Sequence, residues 1–337
     1  MVELSGLPEV SAPLPWQAQD WSQLNQQLAN GLLPHALLLA GNQYTGKARL
    51  AMALSRLLLC HQPSGGLNCG HCHACQLSAS GNHGDFRWLQ PEEKSRVIKI
   101  DQVRSVVEFT NKTAGLGQRK VVVLAPADSM NVNAANALLK SLEEPAADTY
   151  LLLVCHRLHS LPATVRSRCQ ILKLTVPDAQ QCLAWLDQAT GEREQSERLL
   201  ALADGRPLLA EQLFQDDTAD ALAKLRRALQ GLLTGRVSVP EAAALFAAAS
   251  VEEFLAQLAG ELQVLLRRTQ DQQLTSRQGR AAFVLWDEVL RLQRAVSAGA
   301  NPNKQVIVDA LLVKFGRELG DGPLGDNIQT LRGDVHA

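Results

Sequence analysis

Short apolar runs alternate with amphipathic stretches along the first half of the chain. Continuous apolar runs at residues 36–40, 121–125 and 150–155 are typical of strands that are buried on both faces. Shorter runs at 85–89 and 170–174 predict two further strands. Because stretches with helical spacing separate these runs, the pattern predicts an α/β fold with a parallel sheet.

Apolar residues at helical spacing predict four helices around these strands. The first two cover residues 16–30 and 48–59. The third begins with Asp101 as its N-cap. The fourth covers residues 132–144 and stops at Pro145, because proline cannot continue a helix.

The character of the chain changes after Pro177, where strand signals end and Leu, Ala and Gln recur at helical spacing. Breaks in this pattern divide the second half into a small helical part and a larger one. We therefore expect four regions: an α/β domain over 1–174, a small helical domain over 175–213, an all-α domain over 214–330 and a flexible tail over 331–337.

The composition is that of a soluble globular chain. Of the 337 residues, 46% are hydrophobic and 20% are charged, and the formal net charge is −1. A charge so close to zero gives no general attraction to nucleic acid, so any such contact needs a local patch. No run is long enough to span a membrane, and the start does not resemble a signal peptide, so we expect a cytoplasmic protein.

A glycine loop follows the first predicted strand. Residues 41–48 match the pattern G-x-x-x-x-G-K-[ST] in every position except the last. In such a loop Gly41 and Gly46 let backbone N–H groups face a phosphate, and Lys47 neutralises its charge. Ala48 offers no hydroxyl to Mg²⁺, which compromises metal-assisted phosphoryl transfer. The alternative is a plain strand–turn–helix corner, and the sequence leaves open whether ATP still binds.

Four cysteines are clustered just after the second predicted helix. Their spacing, Cys60-x8-Cys69-x2-Cys72-x2-Cys75, lets four thiolates surround one Zn²⁺ and predicts a structural zinc site with no open coordination position. A nearby histidine could replace one of them: His61, His71, His73 or His83. The alternative is a set of free buried or redox-active cysteines.

The acidic residues of a working phosphate-loop ATPase are missing. Such an enzyme needs a carboxylate at the end of a neighbouring buried strand to hold Mg²⁺, and usually a base beside it. Ala125 and Pro126 occupy these two positions. Asp128 follows a few residues late and is better placed to cap the next helix. We therefore expect no intrinsic ATPase activity.

Two later segments are far more specific than the loop. Residues 133–145 read Asn-Ala-Ala-Asn-Ala-Leu-Leu-Lys-Ser-Leu-Glu-Glu-Pro, and residues 161–169 end in Ser167-Arg168-Cys169. With the four-cysteine insertion, these segments resemble bacterial clamp loader subunits of the AAA+ class, and the resemblance covers essentially the whole chain. Motor subunits of that family, gamma and tau, keep the hydroxyl and the acidic pair. This chain is similar instead to a subunit with a defunct nucleotide site.

The resemblance implies an AAA+ α/β domain, a small helical lid and an all-α collar that joins subunits in a hetero-pentameric ring. With gamma or tau motor subunits and a delta subunit as partners, such a ring opens the sliding clamp and places it on primed DNA. The ring serves a DNA-directed DNA polymerase, which is a nucleotidyltransferase. This chain would be the rigid arm against which the motor subunits move.

The resemblance also assigns roles to residues near the second segment. Arg168 maps to the arginine finger that reaches ATP bound by a neighbouring motor subunit, and Ser167 would orient the turn. A planar, permanently charged guanidinium suits that task. The alternative for Arg168 is an ordinary intramolecular salt bridge.

Arg206 and a basic segment each have two possible interpretations. Arg206 lies where the family often carries a second nucleotide-sensing arginine, and here it is either a relic or part of a surface ion pair. Basic residues outnumber acidic ones between positions 94 and 120: Lys94, Arg96, Lys99, Arg104, Lys112, Arg119 and Lys120. This segment is either a solvated helix face or a surface that contacts template DNA without sequence preference.

Three functions are compatible with these features. We favour a clamp loader arm without its own ATPase activity. The second is an ATP-hydrolysing motor subunit, and ATP turnover by the isolated chain would separate it from the first. The third is a zinc-ribbon DNA-binding protein whose helical half dimerises, which would not enter a complex with clamp loader partners.

Overall fold

The computed structural model describes residues 7–92, 95–117, 119–175, 177–269, 271–297 and 299–320. The chain divides into two compact units, residues 1–216 and 217–337. Within the first unit, the predicted boundary at 174 between an α/β domain and a small helical domain stays a prediction. The predicted tail over 331–337 lies outside the described residues.

The first unit is built around one parallel sheet of five strands. The strands are β1 (Ala36–Ala40), β2 (Phe86–Leu89), β3 (Lys120–Leu124), β4 (Thr149–Cys155) and β5 (Gln170–Lys173). Their order is β2-β3-β4-β1-β5, and every neighbouring pair is parallel. The predicted parallel α/β fold is confirmed, since parallel strands need crossover connections and helices supply them here.

Helices connect these strands and continue after the last one. In the first unit they are α1 (Ala18–Ala29), α2 (Lys47–Leu59), α3 (His73–Ala79), α4 (Ile100–Thr110), α5 (Val132–Glu143), α6 (Ala163–Arg166), α7 (Ala179–Thr190), α8 (Arg193–Leu202) and α9 (Pro207–Gln215). The four predicted helices correspond to α1, α2, α4 and α5 and end within a few residues of the predicted positions. A short 3-10 helix, Pro15–Gln17, leads into α1.

Each face of the sheet packs against its own layer of helices. Because successive strand residues point to opposite faces, Leu37 and Leu39 join the apolar cluster that contains Leu54 of α2. Leu38 joins the cluster that contains Leu138 of α5. All five leucines are at most 1% exposed. Burial on both faces explains why these strands read as continuous apolar runs.

Two predicted helix caps are wrong. The N-cap of α4 is Lys99, and Asp101 lies in the first turn, where its negative charge still favours the helix. The N-cap of α5 is Asn131, whose side-chain oxygen accepts a hydrogen bond from Ala134 N at 2.8 Å. Asp128 therefore does not cap this helix and makes different contacts, described below.

The second unit is helical throughout its described part, as the sequence predicted. Its helices are α10 (Ala219–Leu233), α11 (Val239–Leu245), α12 (Val251–Arg268), α13 (Asp271–Leu274), α14 (Arg277–Ser297) and α15 (Lys304–Leu319). Phe246 and Phe254 meet edge to face in its core, with ring centroids 4.9 Å apart. Among the helices described in either unit, none is long and apolar enough to cross a membrane.

Candidate functional site

The glycine loop lies between the end of β1 and the start of α2. Gly46 has a φ of 91°, a left-handed conformation that favours glycine. A Cβ atom on Gly46 would lie 2.3 Å from Leu14 Cδ1, and one on Gly41 would lie 2.7 Å from the Leu174 carbonyl oxygen. Gly41 is therefore required by the close approach of another backbone segment, and Gly46 by its left-handed conformation.

The segment before α1 covers this loop. Trp16 Nε1 and Gln17 Nε2 donate hydrogen bonds to the Thr45 carbonyl oxygen at 3.0 and 3.3 Å. The Gln17 side chain is fixed in turn because its Oε1 accepts from Leu14 N at 3.0 Å. The sequence did not predict this cover, because no motif links the two segments. A tryptophan directly after Pro13-Leu14-Pro15 and just before the first helix was the available signal.

Lys47 is turned into its own loop. The residue is 2% exposed, and its Nζ donates a hydrogen bond to the Asn42 carbonyl oxygen. Burial lowers the pKa of Lys47 to about 8, although the nearby Asp128 and Cys155 act in the opposite direction. The ammonium group that would neutralise a phosphate therefore already has a partner within the chain.

A cavity of about 590 Å³ adjoins the loop and is lined in part by Tyr44, Lys47 and His156. Ala125 and Pro126 also line it, so the positions that should hold the Mg²⁺-binding acid and the base present only apolar side chains. His156 Nδ1 is buried without a hydrogen-bond partner. Burial and the charge of Lys47 lower the pKa of His156 to about 4, which keeps its imidazole neutral at pH 7.

Asp128, the carboxylate that follows these positions, is engaged elsewhere. It accepts hydrogen bonds from His156 N at 2.8 Å and Arg157 Nε at 3.1 Å, and its side chain is 2% exposed. It thereby fixes the start of the loop after β4. Cys155, at the end of that strand, is fully buried, and burial raises the pKa of its thiol to about 12. Neither group is free to bind a metal or orient water.

The small helices after β5 reach the phosphate loop. Leu208 N of α9 donates a hydrogen bond to the Tyr44 carbonyl oxygen at 3.3 Å. Arg206 Nε donates to the Ala203 carbonyl oxygen at 2.7 Å, and Nη2 pairs with Asp204 at 3.2 Å. Of the two interpretations of Arg206, the surface ion pair is the one observed.

The four predicted zinc ligands converge. The sulfur atoms of Cys60, Cys69, Cys72 and Cys75 all lie within 4.8 Å of one another. Two of the Sγ–Sγ distances, Cys60 to Cys72 and Cys69 to Cys75, are 3.9 Å. A tetrahedral zinc ion with Zn–S bonds of about 2.3 Å places its sulfur atoms about 3.8 Å apart. The cluster therefore fits one tetrahedral metal ion, and no histidine of the described residues joins it.

Hydrogen-bond donors surround these sulfurs, as thiolate ligands require. Cys69 N lies 3.2 Å from Cys60 Sγ, Cys72 N lies 3.4 Å from Cys69 Sγ, and Asn68 Nδ2 lies 3.4 Å from Cys75 Sγ. Burial by itself would raise the pKa of Cys72, but backbone N–H donors and the neighbouring thiols lower it to about 6. Burial instead raises the pKa of Cys60 to about 12 and also raises that of Cys75. Without a metal, the surroundings therefore favour the thiolate at Cys72 and the thiol at Cys60 and Cys75.

Arg168 lies at the opposite edge of the sheet from the glycine loop. β5 runs parallel to β1, with Gln170 paired to Leu37, and Arg168 precedes that pair. The loop begins at Gly41, four residues beyond Leu37. At about 3.3 Å per residue, the strand alone separates the two groups by more than about 13 Å. Arg168 therefore cannot serve the loop of its own chain.

The Arg168 side chain is partly exposed and ion-paired. One third of it, 33%, is accessible to solvent, and its guanidinium pairs with Glu143 at the end of α5. Nη1 also donates to the Thr164 carbonyl oxygen at 2.9 Å. Ser167 Oγ donates to the same carbonyl oxygen at 3.1 Å, which agrees with a role in shaping the turn. The salt bridge of the alternative interpretation is thus present, the guanidinium stays partly accessible at the surface, and the trans role stays a prediction.

The basic segment between 94 and 120 is only partly a charged surface. Lys120 is 3% exposed and donates to the Phe109 carbonyl oxygen at 2.6 Å, so it cannot face DNA. Lys99 and Arg104 form surface ion pairs with carboxylates at 3.0 and 3.4 Å. Lys94 lies outside the described residues. DNA contact by this segment stays a prediction.

Comparison with known proteins identifies the family. The family described as "DNA polymerase III, delta subunit" matches residues 16–178. The DNA polymerase III subunit delta' of Pseudomonas aeruginosa is 37% identical over 326 residues, which cover 91% of this chain and 98% of that protein. The chain belongs to the DNA polymerase III subunit delta' family. The delta' subunit of Escherichia coli (strain K12) is 40% identical over 216 residues, or 64% of this chain and 65% of that protein.

The fold comparison agrees with the predicted AAA+ class. A DNA polymerase III gamma subunit-related protein from Thermotoga maritima superimposes with a TM-score of 0.53 at 18% identity. The match covers 89% of this chain and 99% of that chain. At this identity the likeness shows a shared fold and carries no function. Membership of the delta' family, by contrast, supports the favoured interpretation over a gamma- or tau-like motor subunit.

We expect the purified chain to carry about one zinc ion per molecule, since four thiolates form a closed tetrahedral site. Cys72→Ser should reduce the bound zinc and lower the melting temperature. Cys182→Ser, at a buried cysteine in α7, is the matched control and should keep its zinc. Elemental analysis of protein never exposed to a chelator measures the metal, and its absence from the native chain would contradict the site.

The buried amine of Lys47 should make stability depend on pH. In the folded chain it binds a proton with a pKa of about 8, against 10.5 as the ordinary value. The unfolded chain therefore binds more protons between these values, so the free energy of unfolding rises with pH there. Relative to Lys47→Met, the native chain should gain up to about 3 kcal/mol between pH 8 and 10.5.

Urea denaturation at a series of pH values measures this difference. Lys140→Met, at an exposed position of α5, controls for the loss of a surface lysine. If the difference between the native chain and Lys47→Met stayed constant with pH, the amine would not be buried.

Proposed function

We propose that this chain is the ATPase-inactive arm of a clamp loader. In this proposal it is a rigid subunit of a hetero-pentameric AAA+ ring that loads the sliding clamp onto primed DNA. Its neighbours are motor subunits of the gamma or tau type and a delta subunit, and it touches the clamp and primed DNA transiently. The observation that carries the proposal is the separation of a disabled phosphate loop from an exposed arginine at the other edge of the sheet.

The state of the loop supports the first half of the proposal. Phosphoryl transfer needs a cation at the phosphates, a hydroxyl and a carboxylate on Mg²⁺, and a group that orients water. Lys47 is bonded to the Asn42 carbonyl oxygen, and Ala48, Ala125 and Pro126 have no polar side-chain atom to offer. Gly41, Gly46 and Lys47 thus remain as a phosphate-loop framework without catalytic chemistry.

The position of Arg168 supports the second half. A guanidinium stabilises the charge that spreads over a transferring phosphoryl group, and a neighbouring subunit can supply it. Since Arg168 cannot reach its own loop, any such role must be in trans. Its ion pair with Glu143 is partly exposed, with 33% and 47% of the two side chains accessible. Exposed pairs are worth only about 0–1 kcal/mol, so ATP bound by a neighbour can displace Glu143.

The metal that we assign to the cysteine cluster is structural Zn²⁺. Four sulfur ligands leave no position for water or substrate, so the ion would contribute to folding and not to chemistry. Thiolates that hold a metal persist best in a reducing compartment, which supports placing the protein in the cytoplasm. ATP is not assigned as a cofactor of this chain.

Arg168→Ala should leave the fold and the assembly intact and slow ATP hydrolysis at the one site that the residue serves. Loss of an arginine finger costs about 10³-fold or more at its site. The other ATP sites of the ring would still hydrolyse ATP. The ATPase rate of the reconstituted complex should therefore fall by the fraction that this one site contributes to the total rate. The measurement is steady-state ATP hydrolysis with clamp and primed DNA at saturating concentrations.

Two variants control this experiment. Arg193→Ala removes another ion-paired surface arginine, which contacts Asp187 and Glu197, and should leave the rate unchanged. Glu143→Gln removes the intramolecular partner but keeps Arg168, and should not lower the rate. An Arg168→Ala complex of normal composition and normal ATPase activity would rule out the trans role.

The isolated chain should not hydrolyse ATP measurably above background, because Ala48 replaces the hydroxyl residue and Ala125 and Pro126 replace the two acidic residues. Ala48→Thr should not restore turnover, since it supplies only one of the missing groups. An assay of phosphate release at high protein concentration tests both statements. Turnover at the rate of a motor subunit would favour the ATP-hydrolysing alternative.

A further inference from the structure

Residues 8–17 form a strap between the cysteine cluster and the phosphate loop. The strap is irregular up to its 3-10 turn, yet Ser11, Leu14 and Gln17 are only 8%, 6% and 1% exposed. Single residues of an irregular segment can be buried in this way only if their polar groups find partners. In this chain Asn68 and Arg56, which also contact Cys75, provide them at one end, and the phosphate loop provides them at the other.

Asn68 bonds the strap to the cluster. Its Nδ2 donates to Cys75 Sγ at 3.4 Å and to the Glu9 carbonyl oxygen at 2.9 Å. Its Oδ1 accepts from Ser11 N at 2.8 Å. The residue is 2% exposed. One buried amide therefore joins a metal-ligand sulfur to two backbone groups of the strap.

Arg56 makes a second connection from α2. It is 1% exposed. Its five N–H donors meet five acceptors, namely the carbonyl oxygens of Pro8, Glu9 and Cys75 and the hydroxyl oxygens of Ser11 and Ser78. Three of these acceptors belong to the strap and one to a cysteine of the cluster.

The buried charge of Arg56 supports a metal ion in the cysteine cluster. A buried guanidinium needs a compensating negative charge, and none of its acceptors in the described structure is a carboxylate. Cys75 and Cys60 lie within electrostatic range of it. A divalent ion held by four thiolates has a net charge of about −2. A loaded cluster would therefore supply the charge that Arg56 lacks.

The other end of the strap closes the phosphate loop. Trp16 and Gln17 both donate to the Thr45 carbonyl oxygen, at 3.0 and 3.3 Å. Leu14 packs so closely on Gly46 that a Cβ atom there would lie 2.3 Å from it. In the loop beneath, Lys47 Nζ donates a hydrogen bond to the Asn42 carbonyl oxygen.

We infer that the metal-loaded cysteine cluster anchors the strap through Asn68 and Arg56, and that the anchored strap holds the phosphate loop closed. Asn68 and Arg56 are then positioning residues that couple a structural metal to a distant loop. The inference rests on the proposed metal site but not on the role of Arg168, so a normal ATPase rate in the Arg168→Ala complex would leave it standing.

Hydrogen exchange of the full-length, zinc-loaded chain tests this coupling, followed by mass spectrometry of peptides from the strap and the loop. Asn68→Ala removes three hydrogen bonds. Exchange should accelerate by about tenfold or more in residues 8–17 and also in residues 42–48. Removal of zinc by a chelator should have the same effect on both segments. Asn82→Ala, which removes only an exposed contact to Ser80 Oγ, is the matched control and should change neither.

Two milder variants keep the test decisive if Asn68→Ala loses its metal. Ser11→Ala removes one Arg56 contact and touches no cysteine, and it should accelerate exchange in both segments with zinc still bound. Trp16→Phe removes a bond at the loop end, and it should accelerate exchange in 42–48 but not in 8–11. Faster exchange in the strap with an unchanged loop, or an unchanged strap after zinc removal, would overturn the inference.

Discussion

The parallel pairing of β1 with β5 is the constraint on which the rest of the structure depends. Since both strands run in one direction, the loop after β1 and the turn before β5 must lie at opposite edges of the sheet. The phosphate loop and Arg168 therefore cannot share a site within one chain. In the proposed function Arg168 acts at the ATP site of a neighbouring subunit, a role that does not depend on Mg²⁺ ligands in its own chain.

The phosphate loop satisfies several of its polar groups within the chain itself. Lys47 does so through the Asn42 carbonyl oxygen, and the Thr45 carbonyl oxygen receives Trp16 and Gln17. Another buried charged side chain of this unit is likewise hydrogen-bonded to backbone groups of the chain. Asp85 is 3% exposed and accepts from three backbone N–H groups of residues 115–117 at 2.7 to 3.1 Å. These bonds lower the pKa of Asp85 even though its burial acts to raise it.

The features that the sequence predicted are local ones. Buried parallel strands need continuous apolar runs, so the sheet and its helices could be located from the pattern alone. The cysteine spacing and the glycine loop are short enough for chain geometry to bring their members together. Helix caps were less predictable, because several neighbouring side chains compete for the same backbone groups. Lys99 is the N-cap of α4, and its backbone N–H donates a hydrogen bond to Gln102 Oε1 at 2.9 Å. Asp101 therefore lies within the helix.

The sequence by itself thus determined the α/β class, the convergence of the four cysteines and the loss of the groups that hydrolyse ATP. Only the tertiary structure decided where charged side chains point. Lys120 is buried and donates a hydrogen bond to the Phe109 carbonyl oxygen, and Asp128 accepts one from His156 N after β4. Arg168 forms an ion pair with Glu143 at the surface. Such choices depend on the desolvation of a charge and on partners far away in the chain. Neither the desolvation of a charge nor its distant partner can be predicted from the residues next to it in sequence. For the same reason, no sequence motif marks the strap between the cysteine cluster and the phosphate loop.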